Sequence, residues 1–101
     1  MKDYLIKIHK SYRFVVAICD KDIYGKKFED NEIQMDLTNN FFNGEEINKE
    51  ELIKLIKIYN QEDATFNIVG EKSIELALQT KIISKEGIKK INNIPYAFIL
   101  L

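Results

Sequence analysis

The sequence predicts an α+β fold: a single-layer, mostly antiparallel sheet with two main helices packed on one face. Three observations predict it. Strand-like alternation of apolar and polar residues dominates the early chain, two stretches with helical spacing follow in the second half, and an apolar run closes the sequence. At 101 residues, 46% of them hydrophobic, the chain has the length and apolar content of one domain with one core, and a single domain over residues 1–101 is expected.

Tyr4, Ile6 and Ile8 alternate with Leu5, Lys7 and His9, so the first three share one face of a strand while the other face is expected to be mostly wet. Lys10-Ser11 is a short link to the unbroken run Phe14-Val15-Val16-Ala17-Ile18-Cys19. Such a run suits a strand covered on both faces, and the short link predicts an antiparallel hairpin that sets this strand at the sheet's centre. Residues 20–25 read as a turn, because Asp side chains bond locally and Gly25 supplies positive φ. A short extended piece around Lys26-Lys27-Phe28 leads to Ile33-Gln34-Met35-Asp36-Leu37, whose alternation predicts Ile33, Met35 and Leu37 inward. Asn43-Gly44 is the dipeptide suited to a tight turn with two residues at positive φ, and Phe41-Phe42 before it reads best as a lid over the core.

Asn48 ahead of Lys49-Glu50-Glu51 has the form of a capping box, with Glu at the third helical position and acids placed against the helix dipole. Leu52, Leu55, Ile56 and Tyr59 then recur at helical spacing, and Asn60 is the expected end. Residues 64–69 fit either a strand or the approach to a helix capped by Asn67, since so few residues carry no decisive period. From Glu71, the positions Ile74, Ala77 and Leu78 mark a second amphipathic helix to about Thr80. Two extended pieces end the chain, residues 88–91 and 96–100, separated by Asn92-Asn93-Ile94-Pro95, and the terminal run Tyr96-Ala97-Phe98-Ile99-Leu100-Leu101 reads as a buried strand.

Charge is unevenly spread behind a net value of −1. Residues 1–27 sum to +4, residues 28–51 to −7 and residues 52–101 to +2, and all but one of the 15 cations are Lys. The acidic middle argues against a chain coated by nucleic acid, whereas a basic face built from the two ends remains compatible with phosphate contacts. No stretch reaches the ~20 apolar residues of a membrane span, and Met1-Lys2-Asp3-Tyr4 carries charges where a signal peptide is apolar. A lone Cys19 allows no internal disulfide. A cytoplasmic protein with no membrane partner is the expectation.

Chemistry-bearing residues are few. With one histidine and one cysteine a Cys/His metal cage is excluded, and no cofactor is expected. His9, Cys19 and Asp20 could form a nucleophile, base and orienting acid, but Cys19 ends the most apolar run and a buried thiol is inert, so the structural role is favoured. Gly70-Glu71-Lys72-Ser73 opens a helix, where free backbone N–H groups could receive a phosphate or carboxylate. Phe66 stands where a P-loop requires Gly, and helix capping is the simpler reading.

The segments Lys7-Ile8-His9-Lys10-Ser11, Val16-Ala17-Ile18-Cys19-Asp20, Gly25-Lys26-Lys27-Phe28, Phe41-Phe42-Asn43-Gly44, Asn67-Ile68-Val69-Gly70-Glu71 and Ile94-Pro95-Tyr96-Ala97 occur in an order and spacing that resembles domain-of-unknown-function family 424, small archaeal proteins. The resemblance spans nearly the full chain. It implies a cytosolic archaeal protein of unsettled role and supplies no catalytic residues. Two segments depart from the family pattern: Phe42-Asn43-Gly44 stands in place of Tyr-Gly-Gly, and Asn93-Ile94-Pro95-Tyr96 in place of Gly-Val-Pro-His. If the family's histidine did chemistry, Tyr96 could not replace it as a base near neutral pH.

The functional expectation is a non-catalytic interaction module, a monomer or homodimer, with RNA, a ribonucleoprotein or another protein as partner. Its candidate contacts are Lys7, His9, Lys10, Arg13 and Lys26 of the basic N-terminal part, the aromatics Phe41 and Phe42, and Asn67, Gly70, Lys72 and Ser73 at the second helix start. The alternative is a small enzyme or anion-binding protein using Cys19, Asp20 and His9 or the Gly70 helix start.

Overall fold

The computed structural model describes residues 1–99; Leu100 and Leu101, the end of the last predicted strand, lie outside the described residues. The elements run β1 (Tyr4–Lys10), β2 (Phe14–Asp20), β3 (Lys27–Asp30), β4 (Ile33–Asp36), β5 (Glu45–Ile47), α1 (Lys49–Gln61), β6 (Thr65–Val69), α2 (Glu71–Gln79), β7 (Lys89–Ile91) and β8 (Ile94–Ile99). Six strands form one sheet in the order β5-β1-β2-β6-β8-β7, and β3 and β4 form a separate two-stranded sheet.

The predicted hairpin of β1 and β2 is present, with Lys10 opposite Phe14 and Tyr4 opposite Asp20. Neighbouring strands of the main sheet run antiparallel except β2 and β6, which are parallel. The α+β class therefore stands, and the sheet is mixed. Its parallel pair follows from the chain's route: after β2 the chain forms the second sheet, adds β5 at the far edge and returns over one face as α1. A crossover of this kind is what parallel neighbours require. It also settles residues 64–69, of which Thr65–Val69 form a central strand.

Alternation along each strand splits the core in two. On the helix side, Tyr4, Ile6, Val16, Ile18, Phe66 and Ile68 pack with Leu52 and Ile56 of α1 and Ile74, Leu76 and Ala77 of α2. On the other side, Leu5, Ala17, Cys19 and Val69 pack with Met35, Leu37, Phe42 and Ile91. Fully burying a side chain such as Ile18 or Phe66 contributes about 1.5–3 kcal/mol, so both clusters matter to a domain of this size. Two expectations need correction here. The sheet is not a single layer covered on one face, because the β3–β4 hairpin and a 3-10 turn at Asn40–Phe42 roof part of its second face. Nor is the alternate face of β1 wet: Leu5 is buried, and Lys7 and His9 are half-buried. The apolar residues of β2 on that face, Ala17 and Cys19, need this cover.

Smaller departures have local causes. Met35 and Leu37 point inward as expected, but Ile33 is 53% exposed because it sits beside the β3–β4 turn, past the reach of the roofed sheet. Phe42 is buried and Phe41 half-buried, so the pair is a lid. Asn43-Gly44 is not a turn with two positive φ values, since Asn43 has φ −80°. Gly44 is needed for a different reason: a side chain there would collide with the backbone of Ile6. The two-residue turn at positive φ is instead Asn92-Asn93 (φ 49° and 66°), joining β7 to β8 with Ile91 opposite Ile94.

Helix α1 starts as its sequence predicts, with the Asn48 side chain accepting from the Glu51 N–H at 2.9 Å and donating to the Glu51 carboxylate at 3.0 Å. Its end lies a residue beyond Asn60. There Asp63 adopts φ 57° while its N–H bonds to the Asn60 carbonyl and the Ala64 N–H to the Tyr59 carbonyl, a Schellman closure. Helix α2 closes the same way through Lys81 (φ 63°), with Lys81 N–H to Leu78 and Ile82 N–H to Ala77.

Candidate functional site

The β1–β2 register decides the fate of the Cys19, Asp20 and His9 constellation. His9 lies opposite Val15 and Cys19 opposite Leu5, so histidine and thiol stand four positions apart along the hairpin, roughly 13 Å. Cys19 has no exposed surface, and burial, reinforced by the Asp20 carboxylate, pushes its thiol up to about 12. It is a small core hydrophobe. His9 instead engages the Asn40–Phe42 turn. Its Nε2 donates to the Phe41 carbonyl at 2.9 Å, and its ring stacks on Phe41 with centroids 4.6 Å apart and planes 12° from parallel. The enzyme-like triad suggested by residue type is thus taken apart by strand geometry.

Asp20 has a different occupation. Buried to 4% exposure at the end of β2, its carboxylate accepts the Lys72 N–H at 3.0 Å, the Ser73 N–H at 2.8 Å and the Ser73 hydroxyl at 2.6 Å. Those donors are the open end of α2, where the sequence suggested an external phosphate or carboxylate. The expected anion cradle exists, and the chain fills it with its own carboxylate, so it is a cap supplied from 52 residues away. Gly70 makes this possible. Its φ is +114°, and a Cβ there would lie 2.6 Å from Oδ1 of Asp20. The expectation that Gly70 and Ser73 receive a ligand is corrected by this contact, as is the idea that Asn67 caps a helix: Asn67 is the middle residue of β6.

The remaining candidates fall on separate surfaces. Lys10 and Arg13 flank the tip of the β1–β2 hairpin, where Tyr12 is wholly exposed. A cleft of about 390 Å³ beneath the tip is lined by Lys10, Tyr12, Arg13 and Phe14, with Glu62 and Asp63 on its opposite wall. Lys7 donates from Nζ to the Asn40 carbonyl at 2.7 Å and so helps hold the aromatic lid in place. Phe41 and Phe42 meet edge to face at 5.0 Å. Lys26 sits on the approach to β3, tied by backbone bonds to Ile23 and Leu37, away from the hairpin tip. Lys72 faces Asp3 at 4.0 Å beside the Asp20 cap. Since β2 is seven residues long, the hairpin tip and the α2 start stand at opposite ends of it, roughly 20 Å apart. The basic residues of the hairpin tip and of the α2 start therefore stand on separate surfaces.

A feature that the sequence reading missed is the half-exposed Phe98 on the sheet's second face, where its row neighbour Ala17 and nearby Thr65 are buried. Lys7, Ala17, Asn67 and Phe98 lie in one cross-strand row, by the pairings Lys7–Ala17, Ala17–Asn67 and Asn67–Phe98. Beside it runs the row His9, Val15 and Thr65. Phe98 is 50% exposed and Asn67 half-buried. The terminal run read as a buried strand, and the signal overlooked was period two: Phe98 shares a face with Tyr96, and only Tyr96 lies near enough to the hairpin roof to pack against that core.

Comparison with known proteins agrees with the fold and adds no activity. The family model for proteins of unknown function (DUF424) matches residues 9–101. The chain belongs to this family. A crystal structure of an uncharacterized conserved protein from Methanopyrus kandleri shares the fold with a TM-score of 0.84 at 21% identity, covering 96% of this chain and 91% of that one. No curated protein matches. In this DUF424 chain Tyr96 packs half-buried against the second core, a structural position. Among the described residues no helix is long and apolar enough to cross a membrane, and no group of three or more His, Cys, Asp or Glu side chains gathers as a metal site would require.

Proposed function

We propose that this DUF424 protein is a non-catalytic interaction module that engages RNA, free or within a ribonucleoprotein, through the end of its β1–β2 hairpin. The observation that carries the reading is Tyr12, fully exposed between Lys10 and Arg13 at the hairpin tip. An aromatic ring flanked by cations offers a base a stacking surface and its phosphates two charges, at little folding cost. The groups that would support an enzyme are spent inside the fold: Cys19 in the core, Asp20 on α2 and His9 on the Phe41 carbonyl. Glu62 and Asp63 on the far wall of the tip cleft limit the positive field, so modest affinity with a shallow salt dependence is expected.

The test is a binding titration against structured and single-stranded RNA over a range of salt concentrations, repeated with the double variant Lys10→Glu, Arg13→Glu. The reading expects affinity to fall with salt and the double variant to flatten the log–log slope by about two. Binding no tighter than to an acidic control protein sinks it.

A further inference from the structure

We infer that the outer edge of β1, beyond the end of β5, docks an extended segment of a partner protein that carries an acid two residues before an apolar side chain. The inference is independent of the RNA reading and concerns a different kind of contact. β1 is seven residues long, but β5 pairs only with Tyr4, Leu5 and Ile6. The odd residues of β1 bond to β2, as the Asp3 carbonyl shows by accepting the Lys21 N–H where the register continues past Tyr4 and Asp20. The even residues therefore face outward, and the Ile6 carbonyl lies against Gly44 at the start of β5. Ile8 and Lys10 come next. Among the described residues no backbone group bonds to their outward N–H and C=O groups. A hollow of about 520 Å³ adjoins this bare edge, with Ile8, Gly44, Glu45 and Leu55 of α1 in its wall. Ile58, three residues on from Leu55 and on the same flank of α1, is 53% exposed.

The register selects the occupant. Three positions, opposite Ile8, His9 and Lys10, remain before Gly44 closes the line of β5, so the ligand is a short stretch of extended chain. A second copy of β1 does not fit, because pairing its Lys10 with Ile8 sets its Ser11 turn onto Gly44. A peptide running antiparallel to β1, as β5 does, places its first residue opposite Lys10 and its third opposite Ile8. Both side chains then stand on the helix side of the sheet, the face that Ile6 and Ile8 share. Lys10 is exposed and enters no ion pair among the described residues, so it favours an acid at the first position. The third side chain meets Ile8 and Leu55 two places from Glu45, which favours an apolar group and repels an acid. Backbone bonds to the edge supply affinity, and these two side chains fix the order in which the motif is read.

The probe is a fluorescein-labelled peptide with the central sequence Glu-Val-Leu between Ser-Gly flanks, amidated at its C-terminus, followed by anisotropy and by NMR of the protein. Binding tighter than about 1 mM is expected, with shifts at the Ile8 and Lys10 amides and the Leu55 methyls. Methylating the Leu nitrogen, whose N–H meets the Ile8 carbonyl, should weaken binding about fivefold or more. Methylating the Val nitrogen, which points away from the edge, should leave it unchanged. The reversed order Leu-Val-Glu should bind about fivefold more weakly. Lys10→Glu alters an exposed side chain, so its thermal midpoint should match wild type while its preference moves from Glu-Val-Leu to Lys-Val-Leu.

Equal loss from the two methylations, shifts that miss Ile8 and Lys10, or no binding at about 1 mM peptide overturns the inference and leaves the hairpin-tip reading intact. A dimer in light scattering whose dilution moves the same Ile8 and Lys10 amides also overturns it, since the edge would then belong to a second copy of the chain.

Discussion

Replacing Asp20 by Ala tests the most consequential contact in the fold. The carboxylate holds three donors at the start of α2, the N–H groups of Lys72 and Ser73 and the Ser73 hydroxyl. Lys72 is exposed, so water can take over its N–H. Ser73 is only 2% exposed, and its N–H and O–H would be left without partners. At roughly 1–2 kcal/mol for each buried group stranded, the loss comes to about 3 kcal/mol. A domain of this size has 5–15 kcal/mol in hand, so the variant should still fold but melt roughly 15 °C lower. Asp20→Asn keeps one oxygen for Ser73 while turning an NH₂ toward the Lys72 N–H, and should cost about half as much. Urea denaturation followed by circular dichroism measures both. Since Asp20→Ala empties an anion cradle, formate should recover part of the lost stability in that variant and leave wild type unchanged at equal ionic strength. Stability of Asp20→Ala within about 0.5 kcal/mol of wild type would refute the capping argument.

Two further outcomes follow from local geometry. Lys81 closes α2 with φ 63°, a conformation that disfavours side chains, so Lys81→Gly should raise stability by about 1 kcal/mol in the same urea assay, and an unchanged or lower midpoint would count against the strain. The folded Cys19 thiol holds its proton up to about 12, above the unfolded value near 8.5, so its contribution is complete below pH 8.5 and fades as pH climbs toward 12. Wild type should lose more stability than Cys19→Ala between pH 8 and pH 11, and thiol reagents should label Cys19 only as fast as the protein unfolds. Rapid labelling of native protein would contradict the burial.

What could be read without a structure was whatever depends on near neighbours in the chain. Asn48 and Glu51 cap α1 from three residues apart, Leu52 and Ile56 share a helix face by spacing alone, and the β1–β2 hairpin follows from a short link between two apolar segments. The identity of the family was legible in the same way, as an ordered series of short segments. Residue type also correctly marked the α2 start as an anion cradle, because helix ends leave N–H groups open whatever surrounds them.

Only the tertiary structure decided what fills that cradle and what the other polar residues do. Asp20 reaches Ser73 across 53 positions because β2 and β6 lie side by side, and that parallel pairing depends on a crossover that no local pattern encodes. The same long-range placement sends Lys10 and Lys72 to opposite ends of one strand, and roofs Tyr96 while leaving Phe98 half-exposed. Local sequence sets backbone conformation and the face each side chain takes, whereas burial and polar partnership are properties of the neighbours that a fold brings in.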